Sequence, residues 1–407
     1  MQSSPHPFDI RWLCAVLRRI DDDVLAALAH ADFATAAELL GDALECLDGA
    51  HWRVRAEHAE RLLLELQRSA PTHEVDLHHQ AFCYYLERLR QPESARPGDA
   101  DDCLYHLDRL FVLVGGQIDW QTIARYAADV RLATAIEIHH LQRLDLYEGY
   151  SAIRLQQYSS GEALLLPLAD DEAAAPDVRA RALKGLADGA YMRSQYEAAL
   201  ERYQRLLDVA ASSGDETYQG LALLNIGLVL HELDRNDEAL AFCERSMALF
   251  QRTGDRVREA HARYHTALYS MYLGRWQEAA THAGLVATLF EHLGLTNFLG
   301  YVYWLRGYLS HMLGDEAASD AYYQRALPLA ETQHGHLALA MDIWLYRGFL
   351  LQTQGHADQA LECYQHAVEA AERLERPHAL CVIYFRIGQT LQHAGRRHEA
   401  LSAFETA

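Results

Sequence analysis

The chain has 407 residues, 50% of them hydrophobic and 23% charged, and its 36 Lys+Arg against 57 Asp+Glu leave a formal charge of −21. A surface this acidic excludes a protein that coats nucleic acid, because the phosphate field would repel it. Apolar content this high excludes a largely disordered chain, and with no run of 18 apolar residues no membrane span is expected.

The opening MQSSPHPFDIRWLCAVLRRIDDD lacks a secretory pattern: Arg11 and the Arg18-Arg19 pair interrupt its apolar stretch, and no small-residue cleavage site follows. Seven cysteines (Cys14, Cys46, Cys83, Cys103, Cys243, Cys363, Cys381) are odd in number, widely spaced and without a C-x-x-C. That predicts buried, reduced thiols in a cytoplasmic protein, with neither a disulfide framework nor a zinc ribbon. Residues 1–140 read as helical without a clear period, as divergent hairpins or as a separate cap. HADFATAAELLGDALECL looks like a degenerate hairpin turn and second helix, and RVRAEHAERLLLELQRS has apolar residues at helical spacing. QPESARPGDADD (91–102) and ADDEAAAPD (169–177) read as breaks.

From 141 onward the chain reads as one array, weakly at 141–177 and regularly from about 179. A small residue recurs at Ala187, Gly227, Ala267, Gly307, Gly348 and Gly388, at spacings of 40, 40, 40, 41 and 40. Twelve residues after each stands another: Ala199, Ala239, Ala279, Ser319, Ala360 and Ala400. Between them a turn position reads Ser194, Asp234, Gly274, Gly314, Gly355 and Gly395. This is the logic of a helical hairpin. Antiparallel helices approach closely only where facing side chains are small, and glycine suits the turn because it adopts positive φ without a Cβ clash. Tyr203, Tyr323, Tyr364 and Phe404 follow four residues after a second small position, and are expected to fill the gap between neighbouring hairpins. Pro328 is expected to kink one second helix. The last repeat stops at FETA, partway through its second helix. A partner, or self-association through this uncapped repeat, would cover its apolar face; otherwise the chain is a piece of a longer protein, the reading favoured here.

These residues carry a resemblance to the tetratricopeptide repeat family, in the 40-residue form familiar from bacterial signal-transduction regulators and kinesin-light-chain-like adaptors. The resemblance implies an all-α, right-handed α-solenoid of helical hairpins, a superhelix whose first helices line a concave groove for an extended peptide. Carried over by register, Lys184, Asp188, Asn225, His261 and His265 face inward. The family's clamp for a peptide carboxylate uses Lys, Asn, Asn, Lys and Arg at such positions. Here Lys184 and Asn225 match, whereas Asp188 and the two histidines depart from it. Further along, the inward positions turn aromatic: Tyr264, Met271 and Tyr272, then Tyr301, Trp304, Tyr308 and His311, then Tyr346 and Phe349. Large aromatics bury much area at little rotamer cost, which suits a recognition surface; packing between neighbouring first helices is the alternative for any one of them. Arg306, Arg347 and Arg386 recur on the same helices and are expected to pair with the chain's own carboxylates.

Catalysis finds little support. The chain's one lysine, Lys184, lies in RALKGLADG, which is not a Walker A loop. His261 and His265 form H-x-x-x-H without the Glu of a zinc protease or an evident third ligand, so no metal is expected. Glu137 to His140 is a lone E-x-x-H, read as helix surface, and no G-x-S-x-G is present. The sequence therefore predicts a non-catalytic module without cofactor that binds a protein or peptide, with the sensing region of a larger signalling protein as the alternative. With 23 histidines that ordinarily titrate near neutrality, binding is expected to respond to pH.

Overall fold

Why the chain turns back on itself every 40 residues is visible at the six turn positions. Gly274, Gly314, Gly355 and Gly395 take φ between 73° and 83°, and Ser194 and Asp234 hold the same left-handed region at 56° and 58°. Each residue that follows donates its backbone N–H to the carbonyl five residues back, as Gln195 does to Ala190 (2.9 Å) and Arg275 to Ser270 (2.8 Å), closing the helix end. The computed structural model describes residues 9–48, 51–91, 93–113, 118–133, 136–293, 296–332 and 337–407; residues 1–8 and Pro92, which figured in the sequence reading, lie outside them.

Among the described residues seven α-helices come first: α1 (Ile10–Val16), α2 (Asp22–Ala29), α3 (Phe33–Leu40), α4 (Ala56–Ser69), α5 (Pro71–Arg90), α6 (Asp99–Val112) and α7 (Trp120–Arg131). Seven hairpins follow, each a first and a second helix. They are α8 (Ile138–Arg154) with α9 (Tyr158–Asp170), α10 (Pro176–Met192) with α11 (Tyr196–Ser213), and α12 (Glu216–Glu232) with α13 (Asn236–Thr253). Next come α14 (Arg256–Tyr272) with α15 (Trp276–Leu293) and α16 (Thr296–Met312) with α17 (Glu316–Thr332). The last are α18 (Leu337–Thr353) with α19 (Ala357–Arg373) and α20 (Pro377–His393) with α21 (Arg397–Thr406). Several starts are capped by an aspartate accepting from a first-turn amide, among them Asp215, Asp255 and Asp315. The chain is thus an all-α stack of hairpins, in two compact units, Met1–Val209 and Ala210–Ala407.

The first unit departs from the sequence reading in places. LECL does not continue a second helix: Gly41 ends the preceding turns at φ 48°, and Leu44–Cys46 pairs antiparallel with Trp52–Val54. Strands of three residues are too short to show a period of two, while inward Leu44 and Val54 join the buried core with Leu13, Ile20, Leu25 and Phe82. The first break narrows to 91–98, since Asp99–Asp102 form the acidic first turn of α6. The second narrows to 171–175, and α17 continues through Pro328. Cys14, Cys103, Cys243 and Cys363 are buried as expected, but Cys46, Cys83 and Cys381 are exposed.

In the second unit each second helix before the last packs on its own first helix and on the next, as α13 does on α12 and α14, and successive first helices also touch, α14 on α16 and α16 on α18. The recurring aromatics fill a different gap from the one predicted. A Cβ on Gly307 would stand 2.6 Å from the Tyr323 ring, on Gly348 2.7 Å from Tyr364, and on Gly388 2.5 Å from Phe404. Each ring therefore lies inside its own hairpin, over the missing side chain. Gly307→Ala is accordingly expected to destabilise by about 1–2 kcal/mol, because overpacking against a buried ring outweighs the roughly 1 kcal/mol gained in helix propensity. Gly284→Ala, where nothing lies within 4 Å of the new methyl, is expected to stabilise instead. Urea denaturation of both variants checks the pair; a shared sign would show that propensity alone governs these helices.

Candidate binding surface

In the first unit, α10 sets Lys184 and Asp188 one turn apart, and they meet at 2.7 Å. The Asp188 carboxylate also accepts from the hydroxyls of Tyr150 (2.5 Å) and Tyr203 (2.6 Å), while Lys184 Nζ donates to Tyr150 at 2.9 Å. Burial by itself would raise the Asp188 carboxyl, but Lys184 and the two tyrosines hold it below its usual value. Burial would likewise lower the Lys184 ammonium, and Asp188 more than reverses that. Two of the residues read as lining a peptide groove thus spend their charges on each other.

The second unit holds the remaining predicted residues on a row of first helices. Asn225 lies partly buried on α12. On α14, the His261 ring stands edge-on to Phe298 at 4.3 Å between centroids, and Tyr264 meets His265 at 5.2 Å. Tyr301, Trp304, Tyr308 and His311 come from α16, and Tyr346 and Phe349 from α18. Tyr346 joins the helices, edge-on to Trp304 at 5.9 Å and to Tyr308 at 5.2 Å, while His311 meets Phe349 at 5.4 Å. All are partly buried, so the rings pack on one another and still present edges to solvent. Trp304 Nε1 is enclosed without a hydrogen-bond partner among the described residues. Among the described residues, Arg347 pairs with a carboxylate, Asp320 at 2.8 Å, while Arg306 and Arg386 lie over the rings of Tyr322 and Phe349.

No group of three or more His, Cys, Asp or Glu side chains that could hold a metal ion occurs among the described residues. Burial, with His261 and His231 nearby, lowers His265 to about 3, far from the neutral range expected of it. Glu137 is exposed, as expected of helix surface, but His140 is not: the two form the capping box of α8, and buried His140 reaches Asp101 at 3.2 Å. No single helix among the described residues is long and apolar enough to cross a membrane.

Sequence reasoning missed Phe298 and Trp276, which ring with His261 and Tyr308. It also missed Asp342 on α18. The signal was present: Asp342 stands six residues before Gly348, as Tyr301 stands before Gly307 and His261 before Ala267.

Residues 218–294 and 339–407 match the tetratricopeptide repeat family. No curated protein matches the sequence. Among solved structures, a signal transduction ATPase with numerous domains and a tetratricopeptide repeat sensor, from Pyrococcus horikoshii, superposes with a TM-score of 0.57 at 12% identity. The match covers 97% of this chain and 62% of that one, so the chain spans less than two thirds of its length. Aspartyl phosphate phosphatase F from Bacillus subtilis gives 0.53 at 10% identity, over 79% of this chain and 90% of the other. NprR in complex with its cognate peptide NprX gives 0.50 at 16% identity, over 72% and 84%. At these identities the likeness is one of fold.

Proposed function

We propose, for a chain that carries tetratricopeptide repeats, that it is a non-catalytic cytoplasmic module whose second unit holds a peptide or protein segment along the row α12, α14, α16 and α18. The observation that carries this reading is the run of partly exposed rings on three consecutive first helices, joined between α14 and α16 by His261 with Phe298 and between α16 and α18 by Tyr346. Aromatic anchors that keep an exposed edge supply binding area with little side-chain entropy to lose. Two structures of like fold, one in complex with its cognate peptide and one with a tetratricopeptide repeat sensor, support peptide binding and, as the second reading, a sensing role within a larger protein. Peptides selected from a random displayed library on the full chain provide the test. Tyr264→Ala/Trp304→Ala/Tyr308→Ala is expected to bind them about 30-fold or more weaker, the equivalent of one hot spot of about 2 kcal/mol. Circular dichroism must show both proteins folded. Equal affinity would move recognition off this row.

A further inference from the structure

We propose that Asp342 is a cation-receiving site within this row, seating the lysine or arginine side chain of the bound peptide; the inference rests on the peptide-binding reading above. Asp342 is partly buried on α18, one turn before Tyr346. Other shielded carboxylates of the chain have close partners: Glu259 meets Arg263 at 2.8 Å and Arg256 at 2.9 Å, Asp320 meets Arg347, and Asp188 meets Lys184. Asp342 has no ion pair or hydrogen bond among the described residues, and burial pushes its carboxyl up to about 6, with Arg376 acting the other way.

Several aromatic side chains feel its charge. The charge of Asp342 is felt by Tyr346 on its own helix, by Tyr301 on α16 and by Tyr272 on α14. Trp304 and Tyr308 close on Tyr346 from α16. An unpaired carboxylate shielded from water is costly unless a counter-charge arrives. Aromatic faces beside it add attraction for an ammonium or guanidinium that they would not offer an anion or a neutral amide. Tyr272 is 53% exposed and Phe298 40%, so the surface runs on past Asp342 along the row instead of closing round a small ion. The extended surface and the chain's acidic field both suit a basic segment of a partner.

The test uses the full chain and pools of random octapeptides with one fixed position, Arg, Lys, citrulline or Glu, at pH 7.5. Wild type is expected to retain the Arg and Lys pools at least about 10-fold better than the citrulline pool. Asp342→Asn should erase that ratio while keeping its binding to the citrulline pool. Asn removes a buried charge, so the variant should melt no lower than wild type. Asp342→Arg should turn the preference towards the Glu pool. Retention of all pools alike would overturn the Asp342 assignment and leave the peptide-binding reading standing. No retention of any pool by wild type would overturn both. Displacement of the Arg pool by N-acetyl-arginine amide at the concentration at which the pool itself competes would also overturn it, in favour of a free small cation.

Discussion

Asp188→Ala is expected to cost the first unit about 3–5 kcal/mol, read as a lower urea midpoint for the full chain and faster hydrogen exchange in α10. The substitution removes the acceptor of three groups at once: the Lys184 ammonium and the hydroxyls of Tyr150 and Tyr203. The side chains of Lys184 and Asp188 are only 22% and 13% exposed, so water does not readily replace the lost bonds. An ammonium left unpaired in that position costs more than the pair contributed. The double variant Lys184→Met/Asp188→Leu, which removes both charges, is therefore expected to recover most of the loss. The result also bears on binding. If Asp188→Ala unfolds like wild type, the pair is open to solvent and Lys184 is free to hold an anionic ligand, as the resemblance implied. The large loss would instead make it a structural brace of the α8–α11 hairpins.

The regular half was legible because a hairpin imposes its constraints at fixed intervals. A left-handed turn and two close approaches every 40 residues leave small residues where nothing else fits, and all six predicted turn positions take positive φ. That logic reads spacing but not contact. It found Tyr323, Tyr364 and Phe404 yet put their rings between hairpins, because a glycine's gap and its filler appear in sequence only as an offset. Asp342 escaped for a related reason. Its register position is shared with His261 and Tyr301, but an aspartate among aromatics looks like solvated helix surface until the absence of a partner is visible. In the first unit no interval repeats before α8, and strands of three residues, such as Leu44–Cys46, carry too few residues to announce themselves.

Two groups in the second unit should give opposite responses to pH. His265 titrates near 3 in the folded chain and near 6.5 when unfolded, so the unfolded state binds the proton first. The stability it supports is full above 6.5 and is lost as pH falls, by up to about 1.4 kcal/mol per unit, or about 2 kcal/mol at pH 5. Asp342 runs the other way. Its folded value of about 6 lies above the unfolded 3.8, so the fold is favoured below 3.8 and that advantage disappears as pH rises through 6. His265→Gln should therefore flatten the acid loss seen in wild type between pH 7 and 5. Asp342→Asn should be the more stable protein at pH 7.5 by about 2–3 kcal/mol, and lose that lead as the pH drops. Urea midpoints of the three proteins across this range decide the matter. Parallel curves would mean that water reaches both groups and neither is shielded. Opposed curves would separate the histidine, a shielded packing group that acid attacks, from the aspartate, whose charge the fold tolerates at a cost. That cost is what a basic ligand would relieve, so the same protonation of Asp342 that steadies the fold below pH 6 should weaken its grip on a lysine or arginine.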